Sequence, residues 1–306
     1  MKTDVRFPSN AMMIAGHFYT PDDAAGKPYP AIVIGHQVTG VKEQAPANYA
    51  ARLIRQGFAV LTFDAAYQGE SEGEPHGLED PFQRADDFRN AVTYLTTRDD
   101  IDPERIGVLG ICGSGGYVPY AAQTDHRMKA VATVSAVDIA SFFRDPDPDA
   151  WRTMVRQAGQ HRSEEAAGQP ATMVSALPDS VDDSTPKPVR EFFDYYKTPR
   201  GHHPRSTNQW VARSADELDQ YDSYADVHKI APRPLLMIAG TDAQTLPYSQ
   251  DAVAAAGDTA ELFTIEGATH VDLYDRDEYV TPAVAKLTEF FHRHLAAHQP
   301  TGADIH

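Results

Sequence analysis

Cysteine is almost absent: Cys112 is the only one in 306 residues. No intrachain disulfide can form, so nothing in the sequence asks for an oxidising compartment. Positive charge is also scarce. Lys and Arg number 27 against 44 Asp and Glu, a net charge of −17. That balance lacks the electrostatic footprint of a nucleic-acid binder and argues against docking on anionic membranes. No apolar run approaches the ~20 residues needed to span a bilayer. The N-terminus, MKTDVRFPSN, has no apolar signal region. Internal repeats and low-complexity blocks are missing as well. The expectation is a cytoplasmic protein that engages neither nucleic acid nor membrane. What is present is ordinary globular composition, 42% hydrophobic and 23% charged, with enough apolar surface for a large core.

Short apolar runs of the kind buried in a parallel sheet recur along the chain: PAIVIG at 30–35, FAVLTF at 58–63, 105–110, 130–135, PLLMIAG at 234–240 and 261–265. Helical patterns separate them, at 43–56, 80–98, 114–123, 249–256 and 282–297. Two further strands, 5–7 and 12–19, come first, joined by the turn Pro8-Ser9-Asn10. Repeated strand–helix units predict a mostly parallel, doubly wound α/β sheet. Alternation stops between 138 and 228, which is polar, Pro-rich and helical in patches at 150–160, 188–196 and 214–221. The expected organisation is a core of 1–137 and 229–298, a helical lid of 138–228, and a flexible tail of 299–306. Ligands of open α/β sheets bind at the carboxyl ends of the strands, where such a lid would exclude water.

The most informative stretch is RIGVLGICGSGGY at 105–117. An apolar strand runs into small residues and then a helix, the setting of a nucleophile elbow, in which bulky residues two before and two after the nucleophile would collide. With Cys112 at the tip, the flanks are Gly110 and Ser114. With Ser114 at the tip, they are Cys112 and Gly116, and the strand must extend through the poorly strand-forming Gly110. Strand length favours Cys112. The plain alternative is a buried, inert cysteine. There is no GK[ST], and the glycines do not fit a dinucleotide fingerprint, so no cofactor is expected.

A thiol gains from a neighbouring histidine. His270, in EGATHVD at 266–272, follows a strand at the carboxyl end of the sheet and is the candidate base. The imidazole needs a carboxylate to fix its tautomer. Asp242 follows another strand at the same end, although the usual position, three after the strand-ending glycine, holds Ala243. Asp138 is the other candidate acid. The order 112, 242, 270 is that of α/β hydrolases. An oxyanion hole needs two backbone N–H groups, for which position nominates Gly113 and Val38, the latter in the loop HQVTG at 36–40.

Together, Gly35-His36, Phe63-Asp64 with Gly69-Glu70-Ser71, Gly110-Ile111-Cys112, Asp242 and His270 resemble the α/β-hydrolase superfamily over nearly the whole chain. The Cys at the elbow resembles the dienelactone-hydrolase branch. GVKEQ (40–44), FDAAYQGES (63–71), DPERIGVLGIC (102–112), YYKTPRGHHPRS (195–206) and GATHVDLYD (267–275) are similar to bacterial relatives of the fungal polyketide-transferase-like family. The resemblance implies an α/β-hydrolase fold with the lid inserted after the strand that follows the nucleophile helix. Where dienelactone hydrolases carry a glutamate that meets the resting thiol, this chain has Gln37. Ser114 replaces the usual glycine two after the nucleophile.

The segment 191–203 mixes aromatics with bases. Tyr195, Tyr196, Arg200 and His203, with His36, Gln37 and Ser114, are candidate substrate contacts, and Phe192 and Phe193 read as lid core. Adjacent His202 and His203 lack the spacing of a metal site. The expected activity is hydrolysis of an ester, thioester or lactone through Cys112, His270 and Asp242. An acyltransferase with the same residues and a non-catalytic binding protein are the alternatives. The expected partner is a small acyl substrate, with a homodimer left open.

Overall fold

A computed structural model of the protein describes residues 1–22 and 28–296. The tail 299–306 and the last two residues assigned to the core lie outside them. Strands β1 (Lys2–Ser9) and β2 (Met12–Tyr19) form an antiparallel hairpin whose turn places Asn10 at φ 51°. The strand therefore runs through Pro8 and Ser9, and the turn, Asn10-Ala11, starts two residues later than composition suggests. β2 lies antiparallel to β4 (Ala59–Phe63). The remaining strands run parallel: β3 (Tyr29–Gly35), β5 (Ile101–Ile111) and β6 (Ala130–Val134) come first. The short pair β7 (Met173–Ser175) and β8 (Gln209–Val211) stands apart as a separate antiparallel sheet. β9 (Leu235–Gly240) and β10 (Ala260–Ile265) complete the main sheet, in the order β1-β2-β4-β3-β5-β6-β9-β10.

Alternation within the strands supplies both faces. Val33, Val108, Val131 and Met237 point to one core, built with α2 (Pro81–Thr96) and α3 (Ser114–Ala122). Ile34, Leu109, Ala132 and Ile238 point to the other, built with α1 (Ala45–Leu53) and a long C-terminal helix, Asp277–His294. The apolar runs are continuous because both faces are covered. At about 25 cal/mol per Å² of apolar area, this double burial is the main stabilising term.

Between β6 and β9 the chain forms α4 (Ile139–Arg144), α5 (Pro148–Ala166), α6 (Lys187–Lys197) and α7 (Ser214–Asp219), together with the β7-β8 pair. None of it joins the main sheet. After β9 come α8 (Leu246–Ala256), α9 (Asp272–Asp275) and α10, the C-terminal helix already described. Among the described residues, no helix is long and apolar enough to cross a membrane.

Candidate active site

Four loops meet at the carboxyl ends of the central strands, where an open α/β sheet forms its crevice. β5 ends at Ile111, and Cys112 follows at φ 55°, with its N–H donating to the Val134 carbonyl at 3.0 Å. A non-glycine residue in this conformation is uncommon and marks a constrained turn. Gly110 is required beside it: a Cβ there would lie 2.1 Å from the Ser114 carbonyl oxygen. Ser114 is accommodated for a different reason. Its hydroxyl donates to the His36 carbonyl at 2.6 Å, in space left by the missing Cβ of Gly35. Ser114 therefore faces the loop after β3 as a structural anchor.

The two nominated oxyanion donors are brought together. A Cβ on Gly113 would sit 3.3 Å from the Val38 nitrogen. Burial pushes the Cys112 thiol above its ordinary value, and the Tyr274 hydroxyl and the Gly113 and Val38 N–H groups pull the other way. The β3 loop is braced from behind. Buried His36 contacts the Gln37 carbonyl through Nδ1 at 2.6 Å. Its Nε2 accepts from the Ala65 N–H at 3.0 Å and meets Arg84 Nη1 at 2.9 Å. Burial, then the Arg84 charge, holds His36 well below its usual value, so it is a neutral brace. Lys42, from the GVKEQ motif, pairs with Asp64 at 2.7 Å and Glu70 at 2.6 Å, tying the loops after β3 and β4 together.

His270 is completely buried. Its Nδ1 meets Thr245 Oγ1 at 2.6 Å, and its Nε2 meets Tyr274 Oη at 2.8 Å. Burial alone lowers its pKa to about 3. The expected acid is not there. Asp242 is exposed, and its carboxylate bonds only the neighbouring Thr241 hydroxyl, at 3.4 Å. Asp138 accepts from Ser141, and more weakly from the Ser223 N–H, near the start of α4. The loop after β9 turns away one residue past the strand, with the Asp242 N–H bonded to the Ala268 carbonyl. Thr245, three residues on, faces the imidazole instead.

Thr245 and Tyr274 were thus missed from sequence. A threonine at a helix start carries no distinctive signal. Tyr274 had one: it stands four after His270, the spacing at which residues of a helical turn meet.

A pocket of about 90 Å³ opens over Cys112. Of the side chains nominated for substrate, only Tyr196 lines it. Buried Gln37 lies outside the lining. Tyr195 is core, packed at 5.0 Å on Tyr274. Arg200 is consumed as a clamp: it pairs with Asp275 at 2.7 Å and Asp194 at 3.0 Å, and donates to the Val271 carbonyl. His203 accepts the Arg205 N–H in a separate polar cleft. Phe192, expected to be lid core, instead lines the pocket and lies 5.2 Å from the His270 ring.

The parallel sheet, the strained cysteine after its central strand and the histidine after its last strand define an α/β hydrolase. The dienelactone hydrolase family matches residues 14–141. The uncharacterized protein YcjY of Escherichia coli (strain K12) is 36% identical over 91% of this chain and 93% of its own. The chain belongs to the dienelactone hydrolase family. The crystal structure of the hypothetical protein PA2218 from Pseudomonas aeruginosa superposes with a TM-score of 0.89 at 33% identity, covering 96% of this chain and 94% of that one. A thiohydrolase, aneE of Aspergillus aculeatus, is 33% identical over 49% of this chain and 47% of its own.

Proposed function

We propose that the protein hydrolyses an ester, thioester or lactone through an acyl-thioester on Cys112. The observation that carries this is Cys112 at a positive-φ turn lining a pocket, with the Val38 nitrogen beside Gly113 and the Tyr274 hydroxyl bonded to His270 Nε2 at 2.8 Å. The Cys112 proton passes to Tyr274 Oη as Tyr274 passes its own to His270 Nε2. The sulfur then attacks the carbonyl carbon, and the oxyanion takes the Val38 and Gly113 N–H bonds. Collapse expels the leaving group, which is protonated back through the same chain. Water attacks the thioester along that route, releasing the acid and restoring the thiol. His270 Nδ1–H donates to Thr245, which holds the tautomer that this transfer needs. A neutral hydroxyl stabilises an imidazolium less than a carboxylate does, so the cation is short-lived. The segment 138–228 acts as the lid, with Phe192 and Tyr196 excluding water. The relative named a thiohydrolase supports thioesters among the candidate substrates.

Stopped-flow release of p-nitrophenol from a short acyl ester tests the reading. The parent shows a burst. Cys112→Ala loses it by roughly 10⁴-fold or more, and Tyr274→Phe slows it by about 10²-fold, the usual range for a proton-transfer group. A burst that survives Cys112→Ala overturns the assignment. Adding an alcohol or amine acceptor separates hydrolysis from acyl transfer by product.

A further inference from the structure

The pocket over Cys112 is selective in ways its volume does not convey. At about 90 Å³ it has room for about three water-sized groups. Among the described residues, no charged side chain lines it. A carboxylate on the acyl chain would be desolvated there without a partner, at a cost of several kcal/mol. The walls are apolar or aromatic, with Phe142, Phe143, Leu177 and Phe192 prominent.

The polar side chains among these walls are Thr39, Tyr196, the Cys112 thiol and Asn208, and Asn208 is the one left with an unpaired acceptor. It lines the same pocket and is only 4% exposed. Its Nδ2 donates to the Ser206 carbonyl at 3.2 Å, which leaves Oδ1 as the free end of the amide. That oxygen is buried and has no hydrogen-bond partner among the described residues. A bare buried acceptor is destabilising until a donor reaches it. The residue is held at φ 55°, a conformation asparagine tolerates better than most residues. Its loop is also latched to the oxyanion loop, through the Ser206 hydroxyl on the Thr39 carbonyl at 2.8 Å. The amide is therefore fixed relative to the Val38 N–H.

We propose that Asn208 determines specificity, its Oδ1 accepting a hydrogen bond from a hydroxyl or N–H on a short, uncharged acyl chain. This rests on the acyl-enzyme reading of Cys112. Such a substrate satisfies the orphan acceptor, and an unsubstituted chain leaves it bare.

The test compares p-nitrophenyl 3-hydroxybutanoate with p-nitrophenyl butanoate. The parent takes the hydroxylated ester about tenfold or more better in kcat/KM. In Asn208→Gly, chosen because glycine accepts the positive φ, the ratio of the two falls to about one. A parent that takes both equally, or a glycine variant that keeps the preference, overturns the proposal. If neither ester turns over, the acyl-enzyme reading is what fails. The Asn208 assignment is then decided by NMR titration of the Cys112→Ala protein with the methyl esters of the same two acids. Tighter binding of the hydroxylated ester, by about tenfold, upholds it, and equal binding overturns it. The parent ratio and this titration need no change at position 208, so a glycine variant that fails to fold leaves the proposal open to both.

Discussion

The cysteine turn and the histidine loop sit at the same end of one sheet but are organised by different means. The turn is made by its own neighbours. Gly110 has no room for a Cβ, Cys112 takes a positive φ, and Ser114 anchors to the loop after β3. The histidine loop is made partly by its own turn and partly by distant parts of the chain. His270 is held by Thr245 from the loop after β9 and by Tyr274 from α9, with Phe192 of α6 against its ring. Arg200, just after α6, clamps that arrangement through Asp275. The first region tolerates almost no local change. In the second, a hydroxyl can stand where a carboxylate is expected, because the hydrogen bond at Nδ1 is what holds the ring.

Breaking the turn gives the largest effect. In Gly110→Ala the new methyl meets a backbone carbonyl, which cannot rotate away. The expected loss is about 3 kcal/mol in urea unfolding, at the upper end for overpacking.

The histidine loop is sharpened by a pair of variants. Thr245→Val removes the Nδ1 partner and is expected to slow acylation about tenfold, near the worth of one buried hydrogen bond. Asp242→Asn changes an exposed side chain and is expected to leave the rate within about twofold. A large loss in Asp242→Asn with none in Thr245→Val would restore the aspartate as the acid.

The remaining effect is a slope with pH rather than a loss at one pH. His270 titrates near 3 when folded and at its ordinary 6.5 when unfolded. Between those values the unfolded chain takes up a proton that the folded protein refuses. The stability from burying the neutral ring is thus complete above 6.5 and falls as pH drops toward 3, by roughly 1.4 kcal/mol per unit. His270→Gln should remove that share of the slope in urea titrations at pH 7, 6 and 5. His36, also lowered, retains a share of the same sign. Asp87, raised to about 6 by burial, works in the opposite sense, gaining stability as pH falls from 6 toward 3.8.

Most of the sheet was legible because buried parallel strands are continuous apolar runs, and each was located to within a few residues. The β7-β8 pair was not, because its three-residue strands show no periodicity. Within the site, Cys112, Gly113, Val38 and His270 could be nominated from strand ends, since the fold delivers strand ends to one place. Tyr195, Arg200 and Phe192 could not be sorted, because core, clamp and pocket wall use the same residue types within one helical stretch.

The sequence alone determined the architecture, the strained cysteine turn and the histidine loop. Each depends on sterics or periodicity within a short span of chain. Only the tertiary structure decided which group meets His270, which hydroxyl lies beside the thiol, and which amide is left bare in the pocket. Those contacts join segments more than a hundred residues apart in some cases, and a single bond of 2.6 Å from Thr245 leaves no periodic mark in the chain.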